Sequence, residues 1–395
     1  MQSTQAKPMS AFTKIKRRPY SRYFTCGDDE PIRLDSGQLF GPIVIAYETY
    51  GQLSPTRDNA ILIAHALTGD AHCAGHGPDD PEPGWWEPLV GPGRVFDTDR
   101  YFIVCSNVLA GCQGSTGPAS IDPITNKPYG MRFPVITIRD MVRVQRLLVK
   151  HLGIEQLACV AGGSMGGMQA YTWAVEYPEM VRSTISIAAP GRSGAQAIAY
   201  NEVMRQAIMT DPAWLQGDYY GTPGPVNGLS TARMLGMITY QSAESMMLKF
   251  GRDVMNATSR DLFHFHTQFQ VESYLHYQGK KLVDRFDANT YLYLTRACDL
   301  FDLGLGYPTY EQALARIDAP ILVIGVSSDI LYPTQQQLEV VHILEKLGKP
   351  VEYAEIDTPY GHDGFLIEFE KMTPTLNAFL EKNVWEHTES KCLGK

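Results

Sequence analysis

The sequence lacks three features that would assign it to a special class of protein. No apolar run approaches the roughly 18 residues that a membrane-spanning helix needs, so we expect no membrane segment. Basic residues are not in excess: 34 of them against 43 acidic residues give a net charge of −9, which argues against a nucleic-acid partner. The seven cysteines are odd in number and form no C-x-x-C motif, which is typical of reduced thiols. The basic run Lys14–Arg18 is followed by the polar Pro19–Tyr23 and not by an apolar signal core, so a cytoplasmic protein is expected.

The pattern of the remaining chain divides it into three parts. Residues 1–30 are polar and irregular and are predicted to form an N-terminal arm. Over residues 31–190 and 318–385, apolar strands alternate with amphipathic helices, which predicts an α/β core with a mostly parallel sheet and helices on both faces. Residues 191–317 have helical periodicity and no convincing strand, which predicts a helical lid inserted over the carboxyl edge of the sheet.

Two smaller elements are predicted at the ends of this core. Pro31–Leu34 and Ile43–Tyr50 have the composition of strands and are expected to pair as an antiparallel edge. Gly364–Asn383 is predicted to be the last helix.

The motif with the most chemical content is Gly162-Gly163-Ser164-Met165-Gly166, a G-x-S-x-G. An apolar strand-like run precedes it, and a segment of helical composition follows it. A serine on such a strand–turn–helix corner exposes its hydroxyl at the carboxyl edge of the sheet, and the flanking glycines avoid collisions of a Cβ with neighbouring backbone. The alternative is a glycine-rich turn with a capping serine.

A nucleophilic serine needs a general base and a carboxylate that orients it. In sheets of this kind the order along the chain is Ser, Asp or Glu, then His, each in a loop after a strand. Asp329 directly follows the strand-like Ile321–Val326, and His362 lies in a glycine-flanked turn between the last strand and the last helix. Ser164, Asp329 and His362 are therefore the predicted catalytic triad.

Two backbone N–H groups should converge on the oxyanion that such an attack creates. Met165 follows the serine, and Leu67 lies in the loop after the Ile61–Ala64 strand, so these two residues are the expected donors.

No metal site is predicted. His65, His72 and His76 crowd one region, but no acidic or cysteine residue stands at a known zinc-ligand spacing from them. His264 and His266 are two residues apart and would face different sides of a helix.

These segments together resemble the homoserine O-acetyltransferase family of α/β-hydrolase-fold acyltransferases, from about Ile43 to Phe379. The resemblance is carried by His65–Gly69, Gly84–Trp86, Gly91–Gly93, Asp97–Phe102, Ser106–Leu109, Gly117-Pro118, Gly162–Gln169, Phe250–Arg252 and Gly361–Asp363.

The resemblance implies a ping-pong transfer from acetyl-CoA to the γ-hydroxyl of L-homoserine in methionine biosynthesis. Acetyl-CoA is then a co-substrate, and no cofactor is bound permanently. In the same family pattern Arg233 and Tyr240 contact the amino-acid carboxylate and hydroxyl, and Asp363 is the ammonium partner. Without the resemblance, Arg233 would be a solvated helix residue and Asp363 a carboxylate at a helix N-terminus. A homodimer through the lid is also implied.

Several alternatives remain open on the same scaffold. Succinyl-CoA can replace acetyl-CoA as donor, and serine can replace homoserine as acceptor. An esterase or thioesterase would use the same triad with water, and a binding module would have no reaction at all.

Overall fold

The computed structural model describes residues 18–80, 82–255, 265 and 269–385. The strands in these ranges are β1 (Arg22–Cys26), β2 (Ile32–Arg33), β3 (Leu39–Phe40), β4 (Ile43–Tyr50), β5 (Ala60–Ala64), β6 (Val90–Gly91), β7 (Phe96–Asp97), β8 (Phe102–Ser106), β9 (Ile121–Asp122), β10 (Lys127–Pro128), β11 (Cys159–Gly163), β12 (Thr184–Ile187), β13 (Ile321–Val326) and β14 (Val351–Ile356). The α-helices are α1 (Ile138–His151), α2 (Met165–Glu176), α3 (Ala195–Met209), α4 (Val226–Thr239), α5 (Ala243–Phe250), α6 (Gln270–Val283), α7 (Ala288–Asp299), α8 (Tyr310–Leu314), α9 (Thr334–Lys346) and α10 (Phe369–Leu380).

Eight strands form the central sheet, in the order β1-β4-β8-β5-β11-β12-β13-β14. The pairs β1–β4 and β4–β8 are antiparallel, and the five pairs from β8 to β14 are parallel. Parallel neighbours place all their carboxyl ends along one edge, where loops from several strands meet. The predicted mostly parallel α/β sheet is confirmed.

Both faces of this sheet are buried, which explains its continuous apolar strands. In β5, Leu62 packs into one hydrophobic cluster, and its neighbours Ile61 and Ile63 pack into another on the opposite face. Helices α1, α2 and α9 contribute to the first cluster, and α10 contributes to the second. Each fully buried Leu or Ile stabilises the fold by about 1.5–3 kcal/mol. Helices therefore cover both faces, as predicted.

Helices α3 to α8 lie between β12 and β13 in the sequence, within the predicted lid. The segment after α4 contacts the turn that carries His362: the Asp363 N–H donates to the Tyr240 carbonyl at 3.0 Å, and the Ser242 hydroxyl donates to the Pro359 carbonyl. The division into a core (31–190 and 318–385) and a lid (191–317) is a proposal that this arrangement supports. No helix in the described ranges is long and apolar enough to cross a membrane.

The structure differs from the sequence prediction at the first edge of the sheet. Arg22–Cys26 lies in the expected irregular arm but forms β1, which pairs with β4. The sequence of this strand shows no clear alternation of apolar and polar residues, because Phe24 is the only residue of the strand that is buried. The predicted pairing of Pro31–Leu34 with Ile43–Tyr50 is wrong, since β2 pairs with β3. Residues 1–17 of the arm lie outside the described residues.

The last predicted helix is shorter than expected. Residues Gly361–Leu366 form a 3₁₀ turn, the α-helix begins only at Phe369, and after Leu380 a π-helical turn continues it over Glu381–Trp385. The turn holds His362 at the edge of the sheet. The predicted start of the last helix is therefore wrong at a place that lies beside the candidate site.

Candidate active site

Ser164 lies at the sharp corner between β11 and α2, with φ 57° and ψ −124°. A positive φ is unfavourable for a residue with a side chain and is typical of strained functional positions. The structure thus confirms the predicted strand–turn–helix corner, and Ser164 is not a side-chain cap of the helix that follows.

The flanking glycines are required by close backbone packing. A Cβ on Gly166 would lie 2.1 Å from the Ala64 carbonyl oxygen, and one on Gly162 would lie 2.6 Å from the backbone of Gly166. Real Cβ atoms essentially never approach other atoms so closely. This corner therefore packs against the end of β5, where the predicted oxyanion loop begins.

The three predicted triad residues are hydrogen-bonded in series. The Ser164 hydroxyl donates to His362 Nε2 at 2.8 Å, and His362 Nδ1–H donates to Asp329 Oδ2 at 2.6 Å. Asp329 Oδ1 is held by the backbone N–H groups of Leu331 and Tyr332, at 2.8 and 2.9 Å. The carboxylate is therefore fixed, and it fixes the imidazole with Nε2 facing the serine, as a general base requires.

The surroundings of His362 act on its pKa in opposite directions. Burial favours the neutral ring, but the charge of Asp329 and its hydrogen bond to the ring outweigh burial, and Asp363 adds to their effect. The net result is a pKa of His362 above its ordinary value of 6.5. The rings of Tyr240, Tyr332 and Phe365 pack around the imidazole at centroid distances of 6.0, 5.3 and 5.6 Å.

This raised pKa predicts the pH dependence of acylation. Only the neutral imidazole accepts a proton from Ser164, so kcat/KM for an acyl donor should rise with pH through a midpoint above 6.5. Asp329→Asn removes the charge that raises the pKa, so the rising limb should shift to lower pH, and the rate should fall by about 10⁴-fold. A neutral donor, 4-nitrophenyl acetate, keeps substrate titration out of the profile. A midpoint that does not move in Asp329→Asn would contradict this assignment.

Both expected oxyanion donors, Leu67 and Met165, line one cavity of about 140 Å³ with Ser164 and His362. Gln169 on α2 links the two segments that carry them, because its Nε2 donates to the carbonyls of His65 and Met165, at 3.2 and 3.0 Å. No pattern in the sequence indicates this role of Gln169.

The same cavity contains the three predicted substrate contacts, Arg233, Tyr240 and Asp363. The Arg233 guanidinium lies 5.6 Å from the centre of the Tyr240 ring. Its Nε is buried and has no hydrogen-bond partner among the described residues. Burial raises the pKa of Asp363, while the charges of His362 and Arg233 act to lower it. A guanidinium and a carboxylate therefore face one small space beside Ser164.

A second arginine, which no sequence pattern indicates, lies close to the predicted oxyanion loop. Arg285 follows α6, and its Nη1 donates to the Thr68 carbonyl at 2.8 Å. Burial and the nearby charge of Arg233 lower its pKa. The Arg285 carbonyl accepts a hydrogen bond from Gln113 at 2.6 Å, so the segment after α6 is connected both to the core and to the oxyanion loop. No sequence motif marks this contact, which joins residues 217 positions apart.

The three clustered histidines separate in the structure. His65 Nδ1–H donates to the Ala66 carbonyl, and Nε2 accepts from the Val108 N–H, so both ring nitrogens are used within the fold. His72 and His76 instead converge on Glu48, a residue of β4 that sequence analysis did not consider. The other pair, His264 and His266, lies outside the described residues.

Comparison with known proteins agrees with this architecture. Residues 59–369 match the family model of the alpha/beta hydrolase fold. The chain is 54% identical to homoserine O-acetyltransferase of Symbiobacterium thermophilum over 93% of this chain and 96% of the relative. Among solved structures, homoserine O-acetyltransferase from Bacillus anthracis superposes with a TM-score of 0.86 at 30% identity, over 92% of this chain and 98% of that one.

The chain belongs to the homoserine O-acetyltransferase family. The expected resemblance is therefore confirmed, and with it the α/β-hydrolase fold.

This family shares its scaffold with enzymes whose acyl acceptor is water. Esterase E22 superposes on the chain with a TM-score of 0.84 at 33% identity, over 91% of this chain and 99% of that one. The overall fold alone therefore does not distinguish a homoserine O-acetyltransferase from an esterase. The two functions have to be distinguished by the side chains that line the cavity beside Ser164.

Proposed function

We propose that the protein transfers an acetyl group from acetyl-CoA to the γ-hydroxyl of L-homoserine through an acyl-Ser164 intermediate. The observation that carries this proposal is one cavity of about 140 Å³ that contains Ser164, His362, Arg233 and Asp363. Membership of the homoserine O-acetyltransferase family supports the same reaction. The place of the enzyme in methionine biosynthesis follows from the product.

In the first half-reaction, the Ser164 hydroxyl gives its proton to His362 Nε2 and attacks the thioester carbonyl. The N–H groups of Leu67 and Met165 stabilise the oxyanion. The tetrahedral intermediate collapses, and the CoA sulfur leaves with the proton from His362. The acetyl group then remains on Ser164 as an ester, and Asp329 keeps the imidazole oriented throughout.

In the second half-reaction, the γ-hydroxyl of homoserine gives its proton to His362 and attacks the carbonyl of the acetyl-serine. The tetrahedral intermediate collapses, the bond to Ser164 Oγ breaks, and this oxygen takes the proton back from His362, which releases O-acetylhomoserine. Arg233 binds the carboxylate of the amino acid, Asp363 binds its ammonium group, and Tyr240 contacts the hydroxyl. The unpartnered Nε of Arg233 supports this role, because a buried guanidinium donor without an acceptor is costly unless a ligand supplies one.

The size of the cavity limits what it can hold. Pockets for drug-sized ligands measure roughly 300–1,000 Å³, so a cavity of about 140 Å³ fits an acetyl group and a small amino acid. The bulk of CoA must remain outside it. CoA acts as a co-substrate, and no permanently bound cofactor is part of the proposed mechanism.

The choice of acetyl over succinyl depends on whether a second cation reaches the acyl group. Arg285 is the candidate, but its guanidinium donates to Thr68 and is not among the described residues that line the cavity. A succinyl carboxylate would thus have to compete with the homoserine carboxylate for Arg233, and the carboxylate left without a cation would be a buried unpaired charge, which is strongly unfavourable.

A matrix of two donors and two acceptors tests this proposal. We expect acetyl-CoA with homoserine to give the highest kcat/KM. Serine is one methylene shorter and should be about 10- to 200-fold poorer. Succinyl-CoA should be a weak donor with either acceptor. A preference for succinyl-CoA or for serine would replace the proposed substrates, and the matched control is each donor without any acceptor.

The homodimer and the cytoplasmic location are also proposals. Large apolar side chains are exposed on three lid helices and support an interface there: Val226, Ile238, Met247, Leu248 and Tyr277. Light scattering at micromolar concentration should give twice the chain mass of 44.0 kDa, and a monomer would exclude this interface.

A further inference from the structure

A second cluster of chemically active side chains lies apart from the triad, where the loop after β5 packs against β4. His72 Nδ1 lies 2.8 Å from Glu48 Oε2, and His76 Nε2 lies 2.9 Å from the same oxygen. The three ligand atoms all lie within 4.8 Å of one another. Neither the proposed transfer reaction nor the family comparison gives this cluster a role.

We propose that Glu48, His72 and His76 bind a divalent first-row transition-metal ion, with Zn²⁺ as the best match to two imidazoles and one carboxylate. This set of nitrogen and oxygen ligands is one that such ions prefer. The site is separate from the catalytic triad, and its existence does not depend on the proposed function.

The hydrogen bonds of His72 support metal binding. Its Nε2–H donates to the Glu82 carbonyl at 2.9 Å, so its Nδ1 must carry either a second proton or a metal ion when it faces the Glu48 carboxylate. A histidine that ligates a metal commonly donates its other ring N–H to a backbone carbonyl, which fixes the tautomer and the ring orientation.

The other two ligands are held in place as well. The His76 ring is stacked between those of Tyr20 and Tyr50, at centroid distances of 4.2 and 4.4 Å. Glu48 is fully buried, and its carboxylate accepts hydrogen bonds from the hydroxyls of Ser21 and Tyr50, both at 2.9 Å. The ring stacking and the two hydroxyl hydrogen bonds would remain when a metal ion takes the place of the protons on His72 Nδ1 and His76 Nε2.

The geometry requires a rearrangement of the three ligand atoms. Ligands at about 2.0–2.2 Å from a tetrahedral Zn²⁺ are about 3.3–3.6 Å from each other. The two imidazole nitrogens therefore have to move away from Glu48 Oε2 by about 0.5 Å, and toward each other by up to about 1.5 Å from a separation within 4.8 Å. A cavity of about 630 Å³, lined in part by Tyr50, His76 and Asp80, gives access from solvent and room for a water as fourth ligand.

The charges around the cluster favour a cation. The Asp80 carboxylate lies 3.7 Å from His72 Nε2. Asp70 and Glu82 lie nearby and share one partner, Arg18, at 3.4 and 3.7 Å, so its positive charge, which also acts on His72, offsets only one of the two. A bound ion would join β4 to the loop that runs from Leu67 to His76, and so would stabilise the segment that carries an oxyanion donor.

Zinc titration of the full chain tests the site. The protein is purified without a polyhistidine tag, treated with chelator, and titrated with Zn²⁺ by calorimetry. We expect one equivalent per chain, and Co²⁺ in its place should give the intense visible absorption of a tetrahedral site. His76→Gln keeps a donor for Glu48 but loses the ligand, so the affinity should fall at least about tenfold.

The matched control is His342→Gln, since His342 is exposed on α9, far along the chain from the cluster. It should bind Zn²⁺ as the wild type does. A wild type that binds no zinc, or equal affinity in the wild type and His76→Gln, would overturn the proposal. Thermal unfolding with and without Zn²⁺ provides a second measurement: at the same Zn²⁺ concentration, the midpoint should rise clearly in the wild type and in His342→Gln and rise less in His76→Gln.

Discussion

Ser164→Ala is expected to lower kcat by about 10⁶-fold, the scale on which serine triads lose activity when the nucleophile is removed. Without the hydroxyl no acyl ester can form, and His362 has no proton to accept from this position. The residual rate should come from the oxyanion donors and substrate binding alone. Release of CoA from acetyl-CoA measures the loss, and mass spectrometry should find no acetylated protein.

The fold should survive this change. Alanine meets the same positive φ of 57° that serine does, so the substitution adds no backbone strain. Ser183→Ala is the matched control, because Ser183 is also buried at the sheet and its hydroxyl donates to the Ala158 carbonyl. It should retain activity and lose about 1 kcal/mol of unfolding free energy. Wild-type turnover in Ser164→Ala would contradict the assignment of the nucleophile.

Arg233→Gln is expected to affect the two half-reactions unequally. Removal of one partner from a buried, hydrogen-bonded charge pair costs about 2–5 kcal/mol. The value of kcat/KM for homoserine should therefore fall by a factor that lies between about 30 and several thousand. The burst of 4-nitrophenol from 4-nitrophenyl acetate, which reports acetylation of Ser164, should change only a few-fold. The charge of Arg233 also acts to lower the pKa of Asp363, so its loss should weaken the ammonium contact too.

Two further variants make this test specific. Arg233→Lys keeps the charge but loses the planar pair of donors and should recover only part of the activity. Arg296→Gln changes an exposed arginine on lid helix α7 and should behave as the wild type. An equal fall in both half-reactions would instead assign Arg233 to the structure of the lid and not to the amino-acid substrate.

The proximity of the three candidate triad residues could be predicted from the sequence because it follows from chain order. In a parallel sheet, every loop after a strand reaches the same edge, so Ser164, Asp329 and His362 need only stand after β11, β13 and β14. The structure brings them within hydrogen-bonding distance. The cavity contacts Arg233 and Asp363 required the family resemblance, since a single charged residue on a helix or turn carries no such signal.

Other parts of the site depend on tertiary packing that sequence patterns do not encode. Glu48 meets His72 and His76 across 24 and 28 positions, because the loop after β5 folds back over β4. A strand residue in an apolar run gives no hint of that partner, and the expectation of no metal ligand set rested on sequence spacing alone. Gln169 and Arg285 contact carbonyl oxygens, which leave no trace in a sequence motif.

The wrong predictions for β1 and for the last helix also result from tertiary packing. β1 contains one buried residue, Phe24, and owes its existence to backbone pairing with β4. The last helix begins later than predicted because the turn from Gly361 to Leu366 places His362 beside Ser164 and packs Phe365 into the core. In both places local propensity was outweighed by contacts that form only in the folded chain.

The fate of the acetyl group distinguishes transfer to homoserine from hydrolysis. The wild type is incubated with acetyl-CoA, with and without L-homoserine, and free CoA, acetate and O-acetylhomoserine are quantified together. The proposed transfer predicts stoichiometric O-acetylhomoserine and sustained CoA release only when homoserine is present. Without homoserine, CoA release should stop after about one equivalent per chain, because the acetyl group stays on Ser164. CoA release at the same rate without homoserine, with acetate as the product, would contradict it and identify the protein as a thioesterase.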